Sequence, residues 1–165
     1  MSKTSETIHV STKTSILILE NIRSVENTAS IFRTAEGFGV SKIILIGTTP
    51  TPIDRFSRKR QDFAKVSLGS EDSISWEYRA EIMSVIREFK NEGFQIISLE
   101  QAPGAYRLRD FQTTSQFALV VGNEVDGVSR GVLDNSDAIV EIPMQGQKES
   151  LNVSVATGVA LFVLK

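Results

Sequence analysis

Short, almost continuous apolar runs recur along the chain, and they constrain its fold more than any other feature. Five of them are rich in Ile, Val and Leu, at positions 16–22, 42–47, 94–100, 117–123 and 138–144. Apolar character that is continuous over so few residues is typical of strands buried on both faces of a sheet. The runs therefore predict a sheet that is covered on both sides.

Helical patterns separate these predicted strands. Asn27 is a plausible N-cap, and apolar side chains follow it at helical spacing until Gly37 and Gly39 end the helix. Further helices are predicted at about 76–91 and from about 150 to 165, and the last of them is apolar enough to be buried. Strands that alternate with helices predict an α/β fold with a mainly parallel sheet flanked by helices.

The length of 165 residues suits one domain, which we place at 16–165 after a polar leader at 1–15. The leader lacks the apolar core of a secretory signal, and no run reaches the roughly 20 apolar residues that cross a bilayer. We therefore expect a cytoplasmic protein that does not enter membranes. With no Cys and only His9, the chain has no thiol chemistry and no zinc ligand set, and we expect no metal.

Charge is distributed unevenly along a chain whose formal net charge is −2. Residues 1–65 carry four more positive than negative side chains, and residues 66–165 carry six more negative ones. The positive excess is concentrated in one loop sequence, RFSRKRQ, with Arg55, Arg58, Lys59 and Arg60. Such a cluster would bind a phosphate backbone, because binding releases counterions, but charge alone favours a solvated basic loop.

Common nucleotide-binding and hydrolytic motifs are missing from the sequence. The third position of a dinucleotide fingerprint that begins at Gly37 is Lys42 instead of Gly. The glycines at 122 and 127 have P-loop spacing, but Val128 stands where the motif requires the Lys that reaches a terminal phosphate. The shortage of His and Cys also argues against hydrolytic triads.

Three polar segments then remain as candidates for chemistry. In the first, Asn27 and Arg33 lie in the opening turns of the first predicted helix, and Gly37 leaves space beside Arg33. A guanidinium there would bind a phosphate or ribose oxygen through two hydrogen bonds. The alternative is a helix cap followed by a solvated arginine.

The second segment follows the strand at 117–123. Gly122 would let a ligand approach the backbone closely, and Glu124 places a carboxylate beside it. The Asp-Gly pair at 126–127 also suits an ordinary turn, so a purely structural interpretation stays open.

The third segment lies between the last predicted strand and the last helix. Ser150 and Asn152 stand at the start of a helix that is otherwise almost entirely apolar. Buried polar groups at such a place need hydrogen-bond partners, which are either a ligand or the helix's own first turn.

Taken together, the three segments resemble the SpoU (TrmH-like) family of RNA ribose methyltransferases. The resemblance is carried by N-x5-R-x4-F-G from Asn27, by G-N-E-x-x-G-V-S from Gly122 and by I-P-M-x-G-x3-S-L-N-V-S-V-A from Ile142. It extends over 16–165. It implies a SPOUT fold whose part from Gly122 onward forms a C-terminal trefoil knot, and a homodimer whose active site is completed across the interface.

The resemblance also implies a cofactor, S-adenosyl-L-methionine, and a set of residues that hold it. The positions that match cofactor contacts are Leu99, Gly122, Asn123, Ile142, Met144 and Leu151. The implied reaction is methyl transfer to a ribose 2′-hydroxyl of tRNA or rRNA, and the loop of Arg55, Arg58, Lys59 and Arg60 becomes the candidate RNA-docking surface.

The implied catalytic residues are Arg33, Asn27, Glu124, Ser150 and Asn152. A guanidinium stays protonated in proteins, so we expect Arg33 to bind the substrate and to let a phosphate oxygen or another group take the proton of the hydroxyl. Two alternatives remain: an RNA-binding or assembly module without catalytic activity that retains the fold, and a different S-adenosylmethionine enzyme that acts on a base or on protein.

Overall fold

The computed structural model describes residues 13–165, and a seven-stranded sheet forms its centre. All neighbouring strands of this sheet pair in parallel, in the order β3-β2-β1-β6-β4-β7-β5. The strands are β1 (Thr14–Glu20), β2 (Lys42–Ile46), β3 (Ser75–Arg79), β4 (Gln95–Leu99), β5 (Tyr106–Arg107), β6 (Gln116–Gly122) and β7 (Ala138–Glu141). The predicted parallel α/β fold is confirmed.

Six helices cover the two faces of the sheet within the described residues. They are α1 (Val25–Gly37), α2 (Gln61–Ser67), α3 (Ser70–Ser73), α4 (Ile82–Asn91), α5 (Arg130–Asn135) and α6 (Val153–Leu164). Side chains of a strand alternate between faces, so Leu17 and Leu19 of β1 join one apolar cluster while Ile16 and Ile18 join the other. Helices α1, α2 and α6 contribute to the first cluster, and α4 and α5 contribute to the second.

The prediction of one helix at 76–91 is wrong in its first part. Ser75–Arg79 forms the edge strand β3 beside β2, and the helix begins only at Ile82. Glu81 caps this helix, since its carboxylate accepts hydrogen bonds from the backbone N–H groups of Met83 and Ser84 at 2.8 and 2.7 Å. The spacing of apolar residues in the sequence does not by itself distinguish this strand from the helix that follows it.

Helix α1 begins at another residue than predicted, whereas α6 begins behind one of its two candidate cap residues. The N-cap of α1 is Ser24, whose hydroxyl accepts a hydrogen bond from the Asn27 N–H at 3.1 Å. Asn27 therefore lies inside the first turn, and its side chain is available for other contacts. Helix α6 begins at Val153 behind the cap residue Asn152, whose side chain accepts from the Ser154 N–H at 2.9 Å.

The expectation that the last helix is buried is wrong for one of its sides. Ala160 and Leu161 are fully buried against α1 and the sheet. Val155, Val159 and Phe162 point to solvent, and Phe162 is 74% exposed. Because α6 is apolar on all sides but packs on one side alone, its other side is an uncovered apolar face.

The polar leader lies mostly outside the described residues, and the C-terminal knot stays a prediction. Residues 1–12, with His9, lie outside the described residues, while Thr14 and Ser15, which we assigned to the leader, belong to β1. Strand β6 lies between β1 and β4, and β7 lies beyond β4, which is compatible with the predicted knot. Within 13–165, no helix is long and apolar enough to span a membrane.

The contact between α1 and α2 provides a test of the fold. Phe63 of α2 is fully buried and packs edge-on against Phe32 of α1, with ring centroids 5.1 Å apart. We expect Phe63→Ala to lower the free energy of unfolding by about 3 kcal/mol, because it leaves a cavity in the core. The exposed Leu68→Ala is the control and should change it by less than about 0.5 kcal/mol. Urea denaturation followed by circular dichroism measures both, and equal stabilities would contradict the packing described.

Candidate functional site

A cavity of about 390 Å³ opens at the edge of the sheet where the parallel strands end. It lies among the segments that follow β4, β6 and β7, the place where open α/β sheets hold their ligands. Its volume falls within the range of small-molecule sites. The apolar part of its wall includes Leu99, Val121, Ile142, Met144, Leu151 and Val153.

The structure brings together the residues that we predicted to hold the cofactor. All six of them line this cavity: Leu99, Gly122, Asn123, Ile142, Met144 and Leu151. Glu124 and Ser150, predicted as catalytic, line it as well. Residues that are up to 52 positions apart in the sequence therefore share one concave surface.

Carboxylates dominate the charged part of the cavity wall. Glu100, Glu124, Asp126 and Glu141 line it, and no Lys or Arg from residues 13–165 does. Asp126 is paired with Arg23 at 3.0 Å, an ion pair that is well exposed to solvent. Such a wall favours a ligand with a positive charge. Between residues 13 and 165 no cluster of three or more His, Asp or Glu side chains could hold a metal ion.

Gly122 has a different role from the one predicted. A side chain at this position would collide with the backbone of Gly127 and Val128. The absence of a side chain therefore makes room for the chain's own loop, whereas we expected it to make room for a ligand. Gly127 adopts a left-handed conformation at φ +66°, and a side chain there would meet the carboxylate of Glu100.

Three side chains, those of Asn123, Glu100 and Glu20, hold the loop at 123–129. The side-chain oxygen of the buried Asn123 accepts hydrogen bonds from the N–H groups of Val125 and Asp126, at 3.0 and 2.8 Å, which is the turn that the Asp-Gly pair suggested. Glu100 accepts from the Val128 N–H at 2.9 Å. Glu20, only 3% exposed, accepts from the Ser129 N–H at 2.9 Å.

Glu20 and Glu100 are the functional residues that the sequence reasoning missed. Each is a carboxylate directly at the end of an apolar strand. That position at the ligand-binding edge of a parallel sheet was the available signal. Their role in this structure is to position the loop that forms one wall of the cavity.

Asn27, Glu124 and Asn152 form a continuous hydrogen-bond chain at the rim of the cavity. The Asn27 amide donates to a Glu124 oxygen at 2.6 Å, and the Asn27 oxygen accepts from the Asn152 amide at 3.1 Å. These hydrogen bonds join α1, the loop after β6 and the start of α6. Three of the five predicted catalytic residues are thus in mutual contact, and Ser150 lies nearby on the cavity wall.

Arg33 is not brought to this site. It is exposed on α1, lies outside the set of residues that line the cavity, and pairs with no carboxylate of the described part of the chain. It is six positions from Asn27, which is about 120° round the helix axis. The two side chains therefore leave α1 in different directions.

The predicted RNA-docking cations are mostly paired within the protein. Arg58 bonds to Asp54 at 2.8 Å, and Arg60 bonds to Asp62 at 2.8 Å. Lys59 bonds to Asp72 and Glu71 at 2.7 and 3.1 Å, and these hydrogen bonds raise the pKa of its ammonium group. Arg55 has no such carboxylate partner among residues 13–165. The free positive charge of this loop is therefore smaller than its sequence indicates.

Comparisons with known proteins agree with this architecture. The tRNA (guanosine(18)-2′-O)-methyltransferase of Aquifex aeolicus is 31% identical over 151 residues, covering 89% of this chain and 66% of the relative. The AdoMet-bound rRNA methyltransferase from Sinorhizobium meliloti matches with a TM-score of 0.81 and 30% identity, over 91% of this chain and 55% of that one. The A. aeolicus TrmH/SpoU tRNA modifying enzyme matches with a TM-score of 0.79 and 30% identity, over 92% and 73%.

The chain thus spans about two thirds of the A. aeolicus methyltransferase and little more than half of the S. meliloti protein. The family described as SpoU rRNA Methylase matches residues 14–162, from the first strand into the last helix. The match includes the cavity, the loop at 123–129 and the hydrogen-bond chain at its rim. The chain belongs to the SpoU rRNA methylase family.

Proposed function

We propose that this protein transfers a methyl group from S-adenosylmethionine to a ribose 2′-hydroxyl of tRNA or rRNA. One observation carries the proposal: the residues matched to cofactor contacts line a single cavity, and the Asn27, Glu124 and Asn152 side chains bond to one another at its rim. The names of the A. aeolicus and S. meliloti relatives, which specify 2′-O-methylation and bound AdoMet, support it. The protein would work in the cytoplasm, where these RNAs are accessible.

The cavity suits the chemistry of the cofactor. Leu99, Ile142 and Leu151 would offer apolar contacts to the adenine ring, and the backbone groups at Gly122 and Met144 would offer hydrogen bonds. The carboxylate-lined part of the wall suits a sulfonium and an amino group, which are both positive. When bound, S-adenosylmethionine supplies an electrophilic methyl group.

The ribose hydroxyl is a poor nucleophile until its proton leaves. The guanidinium of Arg33 keeps its charge, so in this proposal it binds a substrate phosphate through two hydrogen bonds and a phosphate oxygen takes the proton. Asn27, held between Glu124 and Asn152, orients the ribose. Ser150 offers a further hydroxyl at the cavity wall.

A second copy of the chain is part of this proposal. The uncovered face of α6 presents Val155, Val159 and Phe162, and the Phe162 ring lies 6.3 Å from that of Phe38, just beyond α1. Exposed apolar patches of this kind mark protein interfaces, and a twofold dimer uses one such patch from each copy. Because Arg33 lies on α1, next to this face, a dimer would place Arg33 beside the interface and allow it to reach the partner's cavity.

Cofactor binding tests the proposed function most directly. Wild-type protein should bind S-adenosylmethionine in isothermal titration calorimetry. Met144→Arg should weaken binding about tenfold or more, because it adds bulk and positive charge to the cavity. Leu68→Ala, on the surface away from the cavity, is the control. Absence of binding to the wild-type protein would favour the RNA-binding module without catalytic activity.

Methylation of total tRNA and rRNA with labelled cofactor, followed by nucleoside analysis, then identifies the RNA and the modified position.

A further prediction concerns the dimer. Val159→Asp places a charge at the centre of the apolar face and should yield a monomer in sedimentation velocity, because burial of an unpaired carboxylate is unfavourable. Leu68→Asp adds the same charge at an exposed apolar residue elsewhere and should leave the sedimentation coefficient unchanged. Wild-type protein that sediments as a monomer would refute the homodimer.

Another prediction concerns the origin of Arg33 in each active site. Arg33→Ala should lower methylation about 100-fold, because the substrate is no longer held in position. An equal mixture of Arg33→Ala and Met144→Arg proteins should recover about one quarter of wild-type activity, since about half of the dimers are mixed and each contains one intact site. No recovery in verified mixed dimers would mean that Arg33 serves its own chain. Full activity of Arg33→Ala alone would remove the residue from the mechanism.

A further inference from the structure

Phe56 is a large apolar residue that belongs neither to the core nor to the α6 face, and the proposed site does not explain it. Phe56 is 62% exposed in the loop between β2 and α2. Guanidinium groups flank it, with the Cζ atoms of Arg55 and Arg58 at 4.7 and 5.1 Å from the ring centroid. The exposed Phe56 ring and the guanidinium planes that lie over it together form a surface on which a partner can stack.

The backbone around Phe56 is firmly held. One Asp54 oxygen accepts hydrogen bonds from the N–H groups of Phe56 and Arg58, at 2.8 and 3.0 Å, and the other accepts from the Arg58 side chain. At the base of the loop, the Arg60 N–H donates to the Pro52 carbonyl at 2.9 Å. A loop that is already ordered loses little conformational entropy when a partner binds.

The loop also lies on the side of the sheet where the reaction is proposed. It follows the carboxyl end of β2, and β2 is separated from β6 by β1 alone. Two strand spacings correspond to about 10 Å, so the base of the loop and the cavity wall at Gly122 belong to one end of the molecule. A substrate RNA that reaches the cavity therefore approaches the end of the molecule that carries this loop.

We propose that Phe56 is a stacking platform for an unpaired base of the substrate RNA, with Arg55 on the adjoining phosphate. The proposal rests on the proposed function, and it narrows the substrate class to single-stranded loops and bulges. Bases in a duplex are stacked on one another, whereas unpaired bases stack readily on aromatic rings and guanidinium planes. Because Arg58, Lys59 and Arg60 are already paired with carboxylates, stacking explains this loop better than attraction to phosphates alone.

Two RNA probes test the proposal: a fluorescein-labelled hairpin with an unpaired loop of seven nucleotides, and a fully paired duplex of the same length. In fluorescence anisotropy, Phe56→Ala should weaken hairpin binding about tenfold and leave duplex binding unchanged, because one base loses its stacking partner. Phe56→Trp should retain hairpin affinity. Tyr78→Ala, a half-exposed aromatic residue on β3, is the matched control and should bind both probes like the wild type.

The salt dependence of RNA binding distinguishes the contribution of the Phe56 ring from that of the Arg55 guanidinium. Arg55→Ala should reduce the slope of log K against log salt for the hairpin by about 0.7, the value for one phosphate on a single strand, while Phe56→Ala leaves the slope unchanged. Wild-type hairpin affinity in Phe56→Ala, or equal weakening for hairpin and duplex, would overturn the proposal. So would a change of oligomeric state in Phe56→Ala without loss of RNA affinity, since the ring would then contact protein.

The proposed function is judged separately, on cofactor titration and methyl transfer. If wild-type protein methylates RNA and Phe56→Ala binds the hairpin normally, the stacking site is wrong and the enzyme assignment stands. If Phe56→Ala loses hairpin affinity while the wild-type protein neither binds S-adenosylmethionine nor methylates RNA, the stacking site stands and the enzyme assignment is wrong.

Discussion

The parallel register between β1 and β6 is the constraint on which the site depends. It pairs Thr14 with Gln116 at one end and Glu20 with Gly122 at the other. This places a buried carboxylate beside the glycine that allows the loop at 123–129 to fold back, and Glu20 then holds that loop through the Ser129 N–H. A slip of one residue would turn every side chain of β1 to the opposite face. The apolar residues on both faces of β1 therefore define the geometry of the cavity wall as well as the core.

The same register explains how distant segments meet. Only four residues separate β1 from helix α1, so the first turn of α1 is carried to the end of β6, where Asn27 reaches Glu124 from 97 positions away in sequence. Asn152, 125 positions from Asn27, completes the chain from the opposite side. Each contact is a single exposed hydrogen bond of modest strength. Their arrangement is maintained by the sheet beneath them.

The central strands were predictable and the edge strands were not, for a physical reason. A strand such as β1 contributes to both apolar clusters and must be apolar throughout, which makes it visible in sequence. Strands β3 and β5 stand at the two edges of the sheet, where burial is partial, and their sequences SWEYR and YR carry no such signal. The start of α1 was displaced because Ser24 caps it in place of Asn27. At α6 the sequence left Ser150 and Asn152 open, and Asn152 is the cap. The family resemblance carried by the motifs identified the cavity lining. The position of Arg33 outside the cavity and the carboxylates that pair with the basic loop depend on tertiary contacts. Two of those carboxylates come from the unpredicted helix α3.

The position of Asn152 has a consequence for cooperativity. Its side-chain oxygen caps α6, while its amide group binds Asn27 at the cavity rim, so one residue belongs both to the helix with the uncovered apolar face and to the proposed catalytic network. Any ligand that shifts this amide acts on the start of α6, and any contact that shifts α6 acts on the rim. Coupling free energies are reciprocal. In the proposed dimer, occupation of the cavity and association through α6 would therefore be linked equilibria, and each would be measured correctly only when the state of the other is controlled.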